Sequence, residues 1–412
     1  MSAGAEAPRR PYVATRLVTA RAVGIAGIVA GAFAFWLALP PLTVRTIAAP
    51  LVVGALAAVL GVGAITRGEK RVGWGAVVAG LIGMVGGVAA AQASSSHLAA
   101  VITWSTIVSA ALVWTTPLTW AAIGGMVSER SGVVNIGLEG MMLMGAFFGI
   151  WGADVTGSWW GGLVIGMISG GALALVHAVF SIHLRADQIV SGTAVIFIAY
   201  GITGYLYNSH YGYQGTPEDT PSVPTFSPDW LGHVPPHALG QFLADSLSDV
   251  SLLTIAAFVL VPLSYVVVFR TPLGLRIRSC GEHPRAADTV GINVYRIRYG
   301  SVVMSGVLAA MGGVYLSIGF NHGFTEQMTN GLGFIALAAL IFGNWRPFGA
   351  FAACLLFGFS QALAPGFANV DAWAIYQNLF LALPYLVTIV AVAGVIGRTV
   401  PPAADGRPYV KQ

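Results

Sequence analysis

The chain has 412 residues, of which 56% are hydrophobic and only 9% charged, against about 25% charge in an average soluble domain, so a water-soluble surface is excluded. Of its 20 basic residues 18 are Arg, scattered singly or in short groups that carry the formal net charge to +4, and no basic patch interleaved with aromatics supports nucleic-acid binding. The two cysteines, Cys280 in an Arg-rich loop and Cys354 in an apolar run, exclude a disulfide framework, and neither has metal-ligand spacing.

A helix needs about 20 apolar residues to cross the hydrocarbon core. Charge-free stretches run 22–44, 46–66, 72–128, 155–184, 188–217, 250–269, 299–325, 327–345, 347–370 and 372–397. Splitting 72–128 at the polar turn from Gln92 to His97, and adding 134–152 despite its Glu139, gives about twelve spans, or ten with re-entrant segments. Continuous apolar runs exclude a barrel, whose strands alternate, so the expected fold is an all-α polytopic transmembrane helix bundle. Arginines precede the first run, but 22–40 lacks a small-x-small cleavage site and leads straight into another span, so it reads as a retained helix. The expected organisation is a cytoplasmic tail 1–21, three spans over 22–100, a core over 101–398 and a cytoplasmic tail 399–412.

Placing both termini in the cytoplasm of a cell-membrane protein leaves only Arg45 outside, as the positive-inside rule prefers. The loop 208–249, with Glu218, Asp219, Asp229, Asp245 and Asp249 and no Lys or Arg, then faces out as an irregular cap.

In chain order, the first unusual segment runs from Ser128 to Gly145. Asn135, Gly137, Glu139 and Gly140 interrupt what should be the first half of a span. An ionisable group there is a functional hypothesis by default, with substrate contact and pairing with Arg130 or Asn135 as the alternatives. With a helix start near Val134, Glu139 would sit about 8 Å in. His177, with no second ligand at metal spacing, reads as a packed, hydrogen-bonded residue, and the Trp159-Trp160 pair as an interfacial anchor. In the segment 270–298, Pro284 at a first turn and Gly291 past an end frame a short helix. It is either a docking element for a cytoplasmic partner or a solvated loop that sets topology. The stretch from Asn330 to Arg346 opens with the same Asn and Gly character but enters from the opposite side. Two such interruptions of opposite direction point to an inverted repeat with a midplane site. No phosphate-binding Gly-x4-Gly-Lys-Ser/Thr loop occurs, so the chain does not hydrolyse ATP through one.

The stretch Gly124-Gly-Met-Val-Ser-Glu-Arg-Ser-Gly-Val-Val-Asn-Ile-Gly-Leu-Glu-Gly-Met-Met-Leu-Met-Gly-Ala146 resembles the signature of permease subunits of ATP-binding-cassette (ABC) importers for nucleosides and related simple sugars, in the superfamily of branched-chain amino-acid and ribose permeases. Leu184 to Gly192, Pro272 to Gly291, and Gly331-Leu-Gly-Phe-Ile-Ala-Leu-Ala-Ala resemble it in the same order. The resemblance covers about residues 104–398 and leaves the first three spans outside it.

The resemblance implies a translocation path and no catalysis, with a second related permease, an external binding lipoprotein and a cytoplasmic ATPase as partners. Docking of the ATPase is implied at Glu282, Pro284, Arg285, Ala286, Ala287, Asp288 and Gly291. No cofactor or metal is expected on this chain, ATP and Mg²⁺ belonging to the ATPase. Hydroxyl-rich substrates need hydrogen bonds without a strong fixed charge, which places the substrate path near Asn135, Glu139, Gln188, Ser191 and Asn330. The alternatives are a branched-chain amino-acid permease and an ion-coupled secondary carrier, the latter normally keeping acids at the midplane. A membrane enzyme would need convergent reactive groups that the spans do not offer.

Overall fold

The computed structural model describes residues 19–38, 44, 46–92, 103–368 and 399–411. Among them eight helices are long and apolar enough to cross a membrane, which bears out the all-α membrane bundle. The expected span 372–397 and the turn at Gln92 to His97 lie largely or wholly outside the described residues. The described residues divide into two compact units, one within 19–92 and one formed by 103–368 with 399–411.

The first unit contains α1 (Ala20–Trp36), α2 (Ala48–Thr66) and α3 (Lys70–Gln92), each packed on the other two. Lipid tails are as apolar as Leu, so close backbone approach and van der Waals packing hold such helices together. A Cβ on Gly80 of α3 would lie 2.6 Å from the Gly54 carbonyl of α2, and one on Gly83 would lie 2.1 Å from the Gly31 carbonyl of α1.

The second unit contains α4 (Trp104–Arg130), α5 (Leu138–Thr156), α6 (Trp159–Ala178) and α7 (Gln188–His210). After the 208–249 loop come α9 (Leu252–Arg270), the short α10 (Pro272–Glu282) and α11 (Pro284–Thr289), then α12 (Val294–Val314), α13 (Leu332–Phe342) and α14 (Pro347–Ala368). The loop itself folds α8 (His237–Ser246) and closes at its base through an antiparallel pair, β1 (Thr225–Phe226) with β2 (Val250–Ser251). Both α6 and α12 continue into a π-helical turn, at Val179–His183 and Tyr315–Asn321.

The packing has an internal symmetry. Helices α4 and α12 pack together; α5 and α6 pack on α12 as α13 and α14 pack on α4. Exchanging α4 with α12, α5 with α13 and α6 with α14 therefore returns the same set of neighbours. Gly124 meets Ser305 while Gly312 meets Pro117, so α4 and α12 run antiparallel. These are the marks of the inverted repeat expected from the two interrupted spans.

Two boundaries differ from the charge-derived ones. The fifth helix starts at Leu138 rather than near Val134, because 131–137 leaves the helical path. The stretch 327–345 holds only the 11-residue α13, about 16 Å long, too short to cross a bilayer.

Candidate functional site

The interruption before α5 is built from side chains that replace the missing helical hydrogen bonds. Non-helical backbone is tolerated at membrane depth only where protein or water satisfies it. Ser128 donates to the Val133 carbonyl at 2.7 Å, and Val134 N donates to Gln188 Oε1 of α7 at 2.7 Å. The buried His177 of α6 lies 3.1 Å from the Val134 carbonyl through Nε2 and 3.0 Å from Ser191 Oγ through Nδ1. A carbonyl only accepts, so Nε2 of the neutral ring carries the proton and Nδ1 accepts from Ser191. Asn135, wholly buried, donates to Ser305 Oγ of α12 at 2.9 Å. Its Oδ1 and Gln188 Nε2 are buried without a protein partner.

Glu139 is also wholly buried. Its partners are neither Arg130 nor Asn135 but the start of α13: Thr329 Oγ1 at 2.6 Å, Gly331 N at 2.8 Å and Gly333 N at 2.7 Å. The carboxylate thus takes up two of the unpaired amide groups that every helix start presents, and it complements the positive ends of α5 and α13 together. The two helix starts almost touch. A Cβ on Gly333 would lie 2.5 Å from Glu139 N, so only glycine admits this approach.

The other end of α13 is tied to the end of α4. Trp345, just past that end, donates Nε1 to Glu129, and Arg130 Nε donates to the Trp345 carbonyl at 2.9 Å. The depth of about 8 Å expected for Glu139 assumed a helix start near Val134, and that premise does not hold, because the helix starts at Leu138.

Of the five expected path residues, Asn135, Glu139, Gln188 and Ser191 are buried around these interruptions, whereas Asn330 is exposed in the turn before α13. Sequence reading missed Ser305, Thr329 and Arg298. Thr329 precedes an apolar helix with Gly331 at φ +86°, a helix-start signal that was legible.

The Arg-rich segment forms α10 and α11, with Pro284 opening α11 and Gly291 at φ +86° just beyond it, as expected. Arg285 and Ala286 are exposed. Ala287 instead turns inward, 3% exposed, packing with Cys280, Val294 and Tyr409. Burial pushes the Cys280 thiol up to about 11. A groove of about 480 Å³ between α10 and α11 is lined by Leu275, Arg276, Ser279, His283, Ala286 and Val290. Glu282 accepts from Ala403 N at 3.2 Å, and Asp288 lies 4.0 Å from Lys411 Nζ, so segment 399–411 is packed structure rather than a free tail. Among the described residues no group of His, Cys, Asp or Glu has the arrangement of a metal site.

Two helix starts that meet through the hydrogen bonds of Glu139 form a helix interruption of the kind found at transport sites. The family described as branched-chain amino acid transport system / permease component matches residues 107–392. The chain belongs to that family. The guanosine ABC transporter permease protein NupQ of Bacillus subtilis is 43% identical over 315 residues, 74% of this chain and 97% of the relative. The nucleoside ABC transporter permease protein NupC of Lactococcus lactis is 38% identical over 312 residues, 74% of this chain and 96% of the relative. The putative glucose ABC transporter permease protein TsgC13 of Haloferax volcanii is 36% identical over 251 residues, 60% of this chain and 73% of the relative. No solved structure matches the chain. The permease match starts beyond α1–α3.

Proposed function

We propose that this permease forms the translocation path of an ABC importer for nucleosides, with both termini in the cytoplasm. The observation that carries the reading is the 43% identity to a guanosine permease across 97% of that protein. The interruptions supply amides and hydroxyls suited to ribose and base, with Asn135, Glu139, Gln188 and Ser191 setting the shape of the path and the exposed Asn330 facing the substrate. Turn backbone at depth must line water or protein, which supports an aqueous space beside Asn330. A separate ATPase would dock on α10 and α11 through Arg285, Ala286 and the groove beside them, held in place by Glu282, Pro284, Ala287, Asp288 and Gly291. A second permease would complete the path, and an external binding lipoprotein would deliver substrate at the acidic 208–249 loop. ATP and Mg²⁺ would bind the ATPase, and this chain would carry no cofactor.

Uptake of labelled guanosine by cells expressing the four components tests the reading, with uridine, glucose and leucine as competitors. The expected result is uptake that stops on ATP depletion, survives an ionophore and yields to uridine. Competition by glucose alone would assign a sugar, the reading favoured by the resemblance to the putative glucose permease. Competition by leucine alone, or collapse with the ionophore while ATP is depleted, would overturn the nucleoside importer.

A further inference from the structure

Segment 399–411 reaches several parts of the second unit within a few residues. Val400 N donates to Asn344 Oδ1 in the turn after α13 at 3.0 Å. Ala404 N donates to the Gly281 carbonyl of α10 at 2.8 Å. Arg298 of α12, 1% exposed, donates Nη1 to the Arg407 carbonyl at 3.0 Å and Nε to the Ser131 carbonyl at 3.1 Å. One guanidinium therefore joins this segment to the first residue of the interruption before α5. The approach is close: a Cβ on Gly132, which sits at φ +91°, would lie 3.1 Å from the Ala404 carbonyl. Tyr409, 5% exposed, packs with Cys280 of α10, Ala287 of α11 and Val294 of α12, its ring 5.5 Å from that of Tyr295.

We propose that segment 399–411 is a coupling strap that fastens α10 and α11 to the interrupted segment 131–137, so that movement of the docking face is passed to the helix interruption. The proposal rests on the reading of α10 and α11 as the ATPase-docking face. Coupling between distant sites needs packed, hydrogen-bonded elements in continuous contact. Here the chain of contacts runs from Asp288 to Lys411 and from Ala287 to Tyr409, along the segment to Arg407, then through Arg298 to Ser131. Arg298 secures it, because a buried guanidinium that lost its carbonyl acceptors would keep N–H donors unpaired and away from water.

The importer reconstituted in proteoliposomes with ATPase, second permease and binding protein tests this through Tyr409→Ala and through deletion of residues 399–412. Uptake per ATP hydrolysed is expected to fall roughly tenfold, within the usual range of inter-site coupling, while ATPase co-purification and hydrolysis rate stay as in the unaltered importer. Cys280, buried beneath Tyr409, is expected to become reactive to maleimide, with buried Cys354 as the internal control. A merely structural segment would not separate hydrolysis from uptake. Exposed Cys280 with unchanged uptake per ATP would overturn the proposal, reducing the segment to a cover. Loss of ATPase binding in both variants would also overturn it, making the segment part of the docking surface. Failure of the unaltered chain to recruit any ATPase would instead sink the importer reading, and the strap with it.

Discussion

The interruptions ahead of α5 and α13 hold equivalent places in the inverted repeat, yet they are secured differently. Residues 131–137 are buried in large part, their backbone groups taken by Gln188, His177 and Arg298 from α7, α6 and α12. Half of residues 322–331 are exposed, and His322, Gln327 and Asn330 have positive φ. Irregular backbone within a membrane is tolerated where it is buried in protein or faces a watery cavity. The first interruption uses the first solution, whereas the second turns half of its residues outward. Strain and exposure at 322–331 fit a segment that works at a surface, while 131–137 acts as a fixed seat for it through Glu139.

The largest effect is expected where the two meet. Glu139→Ala strands Thr329, Gly331 N and Gly333 N, and loss of hydrogen bonds to a buried carboxylate predicts a destabilisation of about 3 kcal/mol. Thermal unfolding in detergent measures it; a negligible change would mean that the start of α13 is held by something else. Gln188→Ala leaves Val134 N buried without its acceptor and is expected to lose about 2 kcal/mol in the same assay. An unaltered unfolding temperature would show the first interruption to be less dependent on side chains than its geometry implies.

The strap allows the first interruption to be probed by pH. Burial raises the Asp405 carboxyl to about 7, against the lowering influence of the Gly406 amide and Arg298, and Glu129 lies near enough to interact with its charge. A raised value favours the protonated form in the docked segment. Its contribution is therefore full below the ordinary carboxylate range and is lost as pH rises through about 7. Protection of Cys280 from maleimide, corrected for thiolate fraction, should weaken between pH 5 and 8 by this linkage. Asp405→Asn should flatten the profile, and a wild-type slope retained in that variant would assign the titration elsewhere.

The smallest stability effect is expected at the second interruption. Asn330→Ala, at an exposed position, should stay within about 0.5 kcal/mol of the parent in unfolding while raising the KM of guanosine uptake. A loss as large as that of Gln188→Ala would erase the contrast between a structural seat and a working surface.

Much of the helical layout was legible because its signals are local. The spacing of charges marks spans through the energy of placing charge in lipid. Pro284 and Gly291 bracket α11 through their own backbone preferences. The start of α5 was misplaced because Val133, Val134 and Ile136 are as apolar as any helix, and only their neighbours draw that stretch out of one. His177 was read as a packed, hydrogen-bonded residue, but its partners, Ser191 and the Val134 carbonyl, come from different segments.

By itself the sequence determined that the chain crosses the membrane repeatedly, where its charged loops lie and that two spans are broken by Asn and Gly, since each property belongs to a short window. Tertiary structure alone decided that Glu139 answers to Gly331 and Gly333, that Asn135 answers to Ser305 and that segment 399–411 packs on α10 through Glu282. Those partners stand more than a hundred residues apart in the chain. What joins them is the antiparallel packing of α4 on α12 and the meeting of two helix starts, and such contacts arise from the fit of whole helices, which no local pattern of residues encodes.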